Sequence, residues 1–168
     1  MSERIRYAWG QSSLGDFIAA ISNEGLVAFE FAERGAAAPS ALRARFANAV
    51  IGHDEIGLTD IVGKLIDVVE GPGLDPRIPL DMRGSDYQKK VWNALRLIPA
   101  GQTINYGVIA AEMGAPHDAR DVTDAIANNT IAILIPCHRV VDRAPVRGVG
   151  SGILSSVGCL IMLPLLAG

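Results

Sequence analysis

Residues 85–128 read SDYQKKVWNALRLIPAGQTINYGVIAAEMGAPHDARDVTDAIAN, three helices in quick succession. Ser85 suits an N-cap before Tyr87, Val91, Trp92 and Leu95 at helical spacing, and Pro99 and Gly101 end that helix. Asn105 can cap a second helix over Tyr106–Met113, closed by Gly114, and Pro116 can start a third running to about Asn128. Two short helices joined by a tight turn containing Gly114 and Pro116 make a helix-turn-helix pattern. By itself the pattern fits many helical hairpins that never meet a nucleic acid.

On a wheel of about 100° per residue, Ala119, Val122 and Ile126 of the third helix share an apolar face that packs inward. Arg120, Thr123 and Ala127 fall on the opposite face, where two small residues beside one long cation let a backbone approach a partner such as a DNA minor groove. Asp121 and Asp124 flank that face and repel phosphate. A solvated face with an ordinary arginine fits the same spacing.

Downstream, the apolar run Ile131–Ile135 predicts a buried strand-like segment leading straight into Pro136-Cys137-His138-Arg139-Val140-Val141. A histidine and an arginine directly after Cys137 predict an electropositive setting that favours the thiolate, the form that attacks carbon. Adjacent Cys and His cannot easily form a direct thiol–imidazole pair, so a proton would pass from Cys137 to His138 through water. Cys159, without polar neighbours, reads as apolar filler.

Upstream, Arg6–Trp9, Asp16–Ile21 and Leu26–Phe31 alternate as strands, with Asn23-Glu24-Gly25 as a turn between the last two. Helical spacing follows in Ala41–Phe46 and Ile56–Val69, giving a small α/β layer. His53 stands alone in a Gly/Asp-rich loop and reads as a surface histidine. The Gly71-Pro72-Gly73 and Asp75-Pro76 cluster reads as a linker.

Charge follows the same division. Residues 1–82 carry seven Lys+Arg against 12 Asp+Glu, whereas residues 83–147 carry eight against six, so any nucleic-acid surface belongs to the second region. The net charge of −3 over 168 residues excludes a uniformly basic coating protein. Two cysteines are too few for a disulfide scaffold or a four-cysteine zinc site, which points to a reducing, cytoplasmic setting without metal. The N-terminus lacks the apolar core of a signal peptide, and Ile153–Ala167, with Pro164, is shorter than the ~20 residues that span a bilayer.

The run Pro136-Cys137-His138-Arg139-Val140-Val141, preceded by Ile133-Leu134-Ile135, resembles the acceptor motif of the O6-alkylguanine-DNA alkyltransferases. The resemblance extends upstream through Pro79–Gln88, Val91-Trp92, Ile98–Thr103 and Tyr106-Gly107, and covers roughly residues 5–141. It is greatest to the C-terminal part of the bacterial adaptive-response regulator. It implies an α/β + α fold: a ribonuclease-H-like α/β domain over residues 1–78, then a helical, winged-helix-type domain over 79–168 that binds the minor groove through its helix-turn-helix. The implied activity is single-turnover transfer of an alkyl group from O6-alkylguanine in double-stranded DNA, with O4-alkylthymine possible, by a monomer without cofactor.

Matched residue by residue, the resemblance makes Cys137 the alkyl acceptor and His138 its proton acceptor through water. Arg120 would fill the gap left by the flipped base, with Thr123 and Ala127 beside it on the DNA face. Tyr106 would assist flipping, and Asn129 would brace the link between recognition helix and cysteine loop. The Cys137 and Val140 carbonyls would read the guanine edge, and Ser151 would line the pocket. The family's Arg-Ala-Val-Gly becomes Arg120-Asp121-Val122-Thr123, its proline after Asn129 becomes Thr130, and 142–168 forms an atypical tail without charge after Arg147, suggestive of a shifted reading frame. An alternative reading is a DNA-lesion-binding or regulatory module that keeps the fold without transfer.

Overall fold

The computed structural model describes residues 2–71, 74–114 and 119–141, with the Ala119 side chain left aside. Pro116, Ser151, Cys159 and the tail 142–168 lie outside the described residues. The chain is a mixed α/β protein that divides into two compact units, Met1–Met82 and Arg83–Gly168.

The first unit is a four-stranded sheet of order β3-β2-β1-β4, built from β1 (Glu3–Ser12), β2 (Gly15–Ile21), β3 (Leu26–Phe31) and β4 (Ala49–His53). The first three strands run antiparallel in sequence, and β4 returns parallel to β1 after the helix α1 (Ala37–Arg45). All residues of β2 from Phe17 to Ile21 are buried, so both faces of this inner strand are covered. Leu42 of α1 packs with Ile5, Tyr7, Ile18 and Ala20, while Phe17, Phe29 and Phe31 cluster edge to face or tilted. A second helix, α2 (Thr59–Glu70), packs Leu65, Val68 and Val69 inward.

Residues 79–81 attach to this sheet. The Leu26 N–H donates to the Pro79 carbonyl at 2.8 Å, Asp81 N–H donates to the Leu26 carbonyl at 2.9 Å, and the buried Ser22 hydroxyl donates to the Asp81 carboxylate at 2.6 Å. Gly25 lies against this segment at φ 154°, and a Cβ there would sit 2.3 Å from the Pro79 oxygen, so only glycine fits. The strand β4 corrects the sequence reading of His53. It ends a strand rather than lying in a loop, its ring stacks 5.0 Å from that of Tyr7, and Nε2 sits 3.1 Å from Glu55 Oε1; the side chain is nonetheless exposed. A short, Gly-containing strand that pairs in parallel with a distant partner leaves little periodic signal.

The second unit holds α3 (Asp86–Arg96), α4 (Tyr106–Met113) and α5 (Ala119–Ala127), with a short parallel pair of β5 (Ile104–Asn105) and β6 (Val140–Val141). Ser85 caps α3 in a reciprocal capping box: its hydroxyl accepts from the Gln88 N–H at 3.1 Å, and the Gln88 side-chain oxygen accepts from the Ser85 N–H at 2.9 Å. Asn105 caps α4 by accepting from the Gly107 N–H at 2.7 Å, and Gly114 at φ 81° ends it. Val91, Trp92 and Leu95 face inward from α3, and the Trp92 indole N–H donates to the Ala125 carbonyl at 2.8 Å, tying α3 to α5.

Candidate functional site

On α5 the wheel holds where its side chains are described. Val122 and Ile126 are buried, joined by Ala125, while Arg120 and Ala127 are exposed and Thr123 is half-buried. The outer face thus carries one long cation flanked by short side chains.

Asn129, just beyond the end of α5, connects that helix to the cysteine segment. Its N–H donates to the Ile126 carbonyl at 3.0 Å, its side-chain oxygen accepts from the Ile131 N–H at 2.9 Å, and its side-chain NH2 donates to the Ile135 carbonyl at 3.1 Å. The two side-chain bonds grip both ends of residues 131–135. Here the strand-like expectation is corrected: the segment folds into turns closed by the Ile135 N–H on the Ile131 carbonyl at 3.3 Å, with Ile131, Ala132 and Ile135 buried. Apolarity alone does not separate a buried strand from a buried turn. Ile133 takes φ 63°, a left-handed conformation rare for a β-branched residue, which persists only when its surroundings over-determine it. Replacing Asn129 with alanine removes the grip, taking from the Ile131 N–H its side-chain acceptor and leaving the Ile135 carbonyl to the Cys137 N–H, so Asn129→Ala should lower the unfolding free energy by about 1–2 kcal/mol. Urea denaturation checks this, and a loss below about 0.5 kcal/mol contradicts it.

The cysteine follows at once. Cys137–Arg139 forms a single 3-10 turn in which the Cys137 N–H donates to the Ile135 carbonyl at 2.8 Å and the Arg139 N–H to the Pro136 carbonyl at 3.0 Å. The Val140 N–H donates to the Cys137 carbonyl. Cys137 is 8% exposed and counts among the buried residues. Immediately after the turn, Val140 and Val141 pair with Ile104 and Asn105. That pairing places the Cys137–Arg139 turn beside the start of α4, where Tyr106 stands half-buried as the first helical residue.

The electrostatics correct one element of the sequence reading. Burial brings the His138 imidazole down from 6.5 to about 4, and the Arg139 charge acts in the same direction. At neutral pH His138 is therefore uncharged and adds nothing to an electropositive setting. As a neutral imidazole it retains a nitrogen that accepts a proton. Arg139, its own ionisation lowered by burial, is the cation of the turn, and its Nη1 donates to the Ile98 carbonyl just past the end of α3. Sequence reasoning missed this tether and the Trp92–Ala125 bond. Their signal is a donor-bearing side chain at an otherwise inward-facing position, which does not name its acceptor. Among the described residues no group of three or more His, Cys, Asp or Glu is disposed to hold a metal ion, and no helix is long and apolar enough to cross a membrane.

Comparison with known proteins gives one family. Residues 86–155 match the family model of the 6-O-methylguanine DNA methyltransferase DNA-binding domain. The bifunctional transcriptional activator/DNA repair enzyme Ada of Escherichia coli is 36% identical over 137 residues, 82% of this chain and 39% of Ada. The chain spans less than half the length of the curated relatives it matches. The crystal structure of Mycobacterium tuberculosis O6-methylguanine methyltransferase superposes with a TM-score of 0.71 at 31% identity, covering 97% of this chain and 91% of that one. Mycobacterium tuberculosis OGT in complex with DNA gives 0.65 at 31% identity, covering 93% and 84%. With such likeness running through nearly the whole of a solved relative, the chain belongs to the 6-O-methylguanine DNA methyltransferase family.

Proposed function

We propose that this protein repairs double-stranded DNA by drawing the alkyl group of O6-alkylguanine, and by the same chemistry of O4-alkylthymine, onto the sulfur of Cys137 in one irreversible turnover. The observation that carries the reading is the Cys137–Arg139 turn, its cysteine buried and its approach held by bonds that begin at Asn129. The Cys137 sulfur attacks the alkyl carbon as thiolate, the S–C bond forms, the C–O6 bond breaks, and its electron pair leaves on guanine, which takes up a proton. The product thioether has no group to reverse it, so each molecule acts once and needs no cofactor. Neutral His138 accepts the thiol proton through water as the sulfur attacks, since an imidazole of such low basicity does not hold a resting ion pair.

In this reading residues 1–78 form a ribonuclease-H-like domain and 79–168 a winged-helix-type domain whose α5 enters the minor groove as a monomer, in the cytoplasm. Arg120 occupies the gap left by the flipped nucleotide, Thr123 and Ala127 permit close approach, Tyr106 crowds the flipped base, and the Cys137 and Val140 carbonyls receive the guanine edge.

The test is to incubate the reduced protein with a duplex containing O6-methylguanine, weigh it intact and map its peptides. One methyl group on Cys137 is the expected result. Methylation of Cys159 overturns the acceptor assignment, and lesion binding without any mass gain favours the non-catalytic module. Arg120→Ala should slow transfer from duplex DNA at least about tenfold while leaving transfer from free O6-benzylguanine within about twofold, a difference near 1.4 kcal/mol of barrier. Equal slowing on both substrates places Arg120 outside the flipping step.

A further inference from the structure

Arg139 stands apart from the residues given roles above, and its surroundings are unusual for an arginine. It is half-buried, it is the third residue of the turn that begins at Cys137, and its guanidinium reaches across the second unit to the carbonyl of Ile98, itself buried. Ile98 lies two residues past the end of α3, where the chain has left the helix and its N–H already donates to the Leu95 carbonyl. A buried carbonyl needs a donor, and the negative end of a helix favours a cation; the guanidinium supplies both.

We propose that Arg139 is a positioning residue for alkyl transfer, fixing the Cys137–Arg139 turn against the C-terminal end of α3 so that the acceptor sulfur keeps its place as the substrate arrives. The proposal rests on the reading of Cys137 as acceptor. Asn129 holds the approach to the turn and the β5–β6 pair holds its exit, but both act on the backbone outside it. The Arg139 tether originates within the turn, two residues from the sulfur. Two backbone bonds define the pitch of this three-residue turn, from the Arg139 N–H to the Pro136 carbonyl and from the Val140 N–H to the Cys137 carbonyl, and neither ties it to another element, so a side chain anchored on a helix end restricts its movement as a unit. Displacement on carbon requires the sulfur in line with the leaving oxygen, and small misplacements of a nucleophile are expensive in rate.

Arg139→Met keeps the apolar stem and removes the donors; Arg139→Lys keeps a cationic donor without the planar fork. Single-turnover transfer should fall at least about tenfold in Arg139→Met, with free O6-benzylguanine and with lesion duplex alike, while affinity for the unreacted duplex stays within about twofold. Arg139→Lys should recover a substantial part of that rate. Rates are read on reduced protein well below the melting temperature of each variant. A purely structural role predicts instead that rate, duplex affinity and melting temperature fall together, and that outcome overturns the proposal, as does a wild-type rate in Arg139→Met. Should Arg139→Met not fold, Arg139→Gln, which retains a neutral donor, decides: a rate at or below that of Arg139→Lys supports positioning, and a rate above it overturns it. Wild-type protein that takes no methyl group on Cys137 overturns the acceptor reading itself, a result distinct from transfer that persists without Arg139.

Discussion

Cys137→Ser, reduced and mixed with duplex containing O6-methylguanine, is expected to gain no methyl group over the interval in which the wild-type protein is fully methylated. The substitution exchanges sulfur for the smaller oxygen at a position 8% exposed, and so leaves the fold in place. Its effect is chemical. A thiol ionises near pH 8.5 and the thiolate is an effective nucleophile toward carbon; a serine hydroxyl ionises far above the working range and needs a strong base. His138, brought down to about 4, is too weak a base to supply that help. The rate should fall at least about a thousandfold, some 4 kcal/mol of barrier. Duplex affinity should change little, because α5 and Asn129 are untouched. Methylation of the serine variant at a rate within tenfold of wild type would remove Cys137 from the reaction.

The second large effect lies in the pH dependence of stability. Because the folded chain keeps His138 neutral down to about 4 while an unfolded chain protonates it near 6.5, the unfolded state binds the extra proton between those values. The contribution of His138 to stability is therefore fully present above about pH 6.5 and declines as pH falls toward 4, by up to about 3 kcal/mol. His138→Gln has no proton to take up and should lose this part of the dependence. Urea denaturation of both proteins at pH 7 and pH 4.5 isolates it, since the carboxylates titrate in both. Parallel pH profiles would show that His138 is as accessible to protons folded as unfolded.

The parts of the fold legible in sequence were those written in neighbouring residues. Ser85, Asn105 and Gly114 mark helix ends through bonds that span two to four residues, and each is where the sequence puts it. The inward face of α5 follows from the spacing of Val122 and Ile126. The misses share a different cause. β4 depends on a parallel partner more than forty positions earlier, and the turns of 131–135 depend on Asn129 reaching the Ile131 N–H and the Ile135 carbonyl at once. The site divides likewise. The identity of Cys137, His138 and Arg139 is a local motif, but the neutral state of His138 comes from burial, and burial is a property of the assembled helices.

The β5–β6 pair sets when the site can come into being. Ile104 and Val140 enclose a segment on the order of 35 residues, and closing such a loop is entropically unfavourable until the intervening helices have shortened it. The pairing spans only two residues on each side, too few to hold an unfolded loop closed. Folding of the second unit should thus proceed from its locally capped helices, with the reactive turn docked among the final steps. A nascent chain would carry Cys137 in the open until then, and its encounter with oxidants or stray electrophiles would be settled by how quickly α3, α4 and α5 find one another.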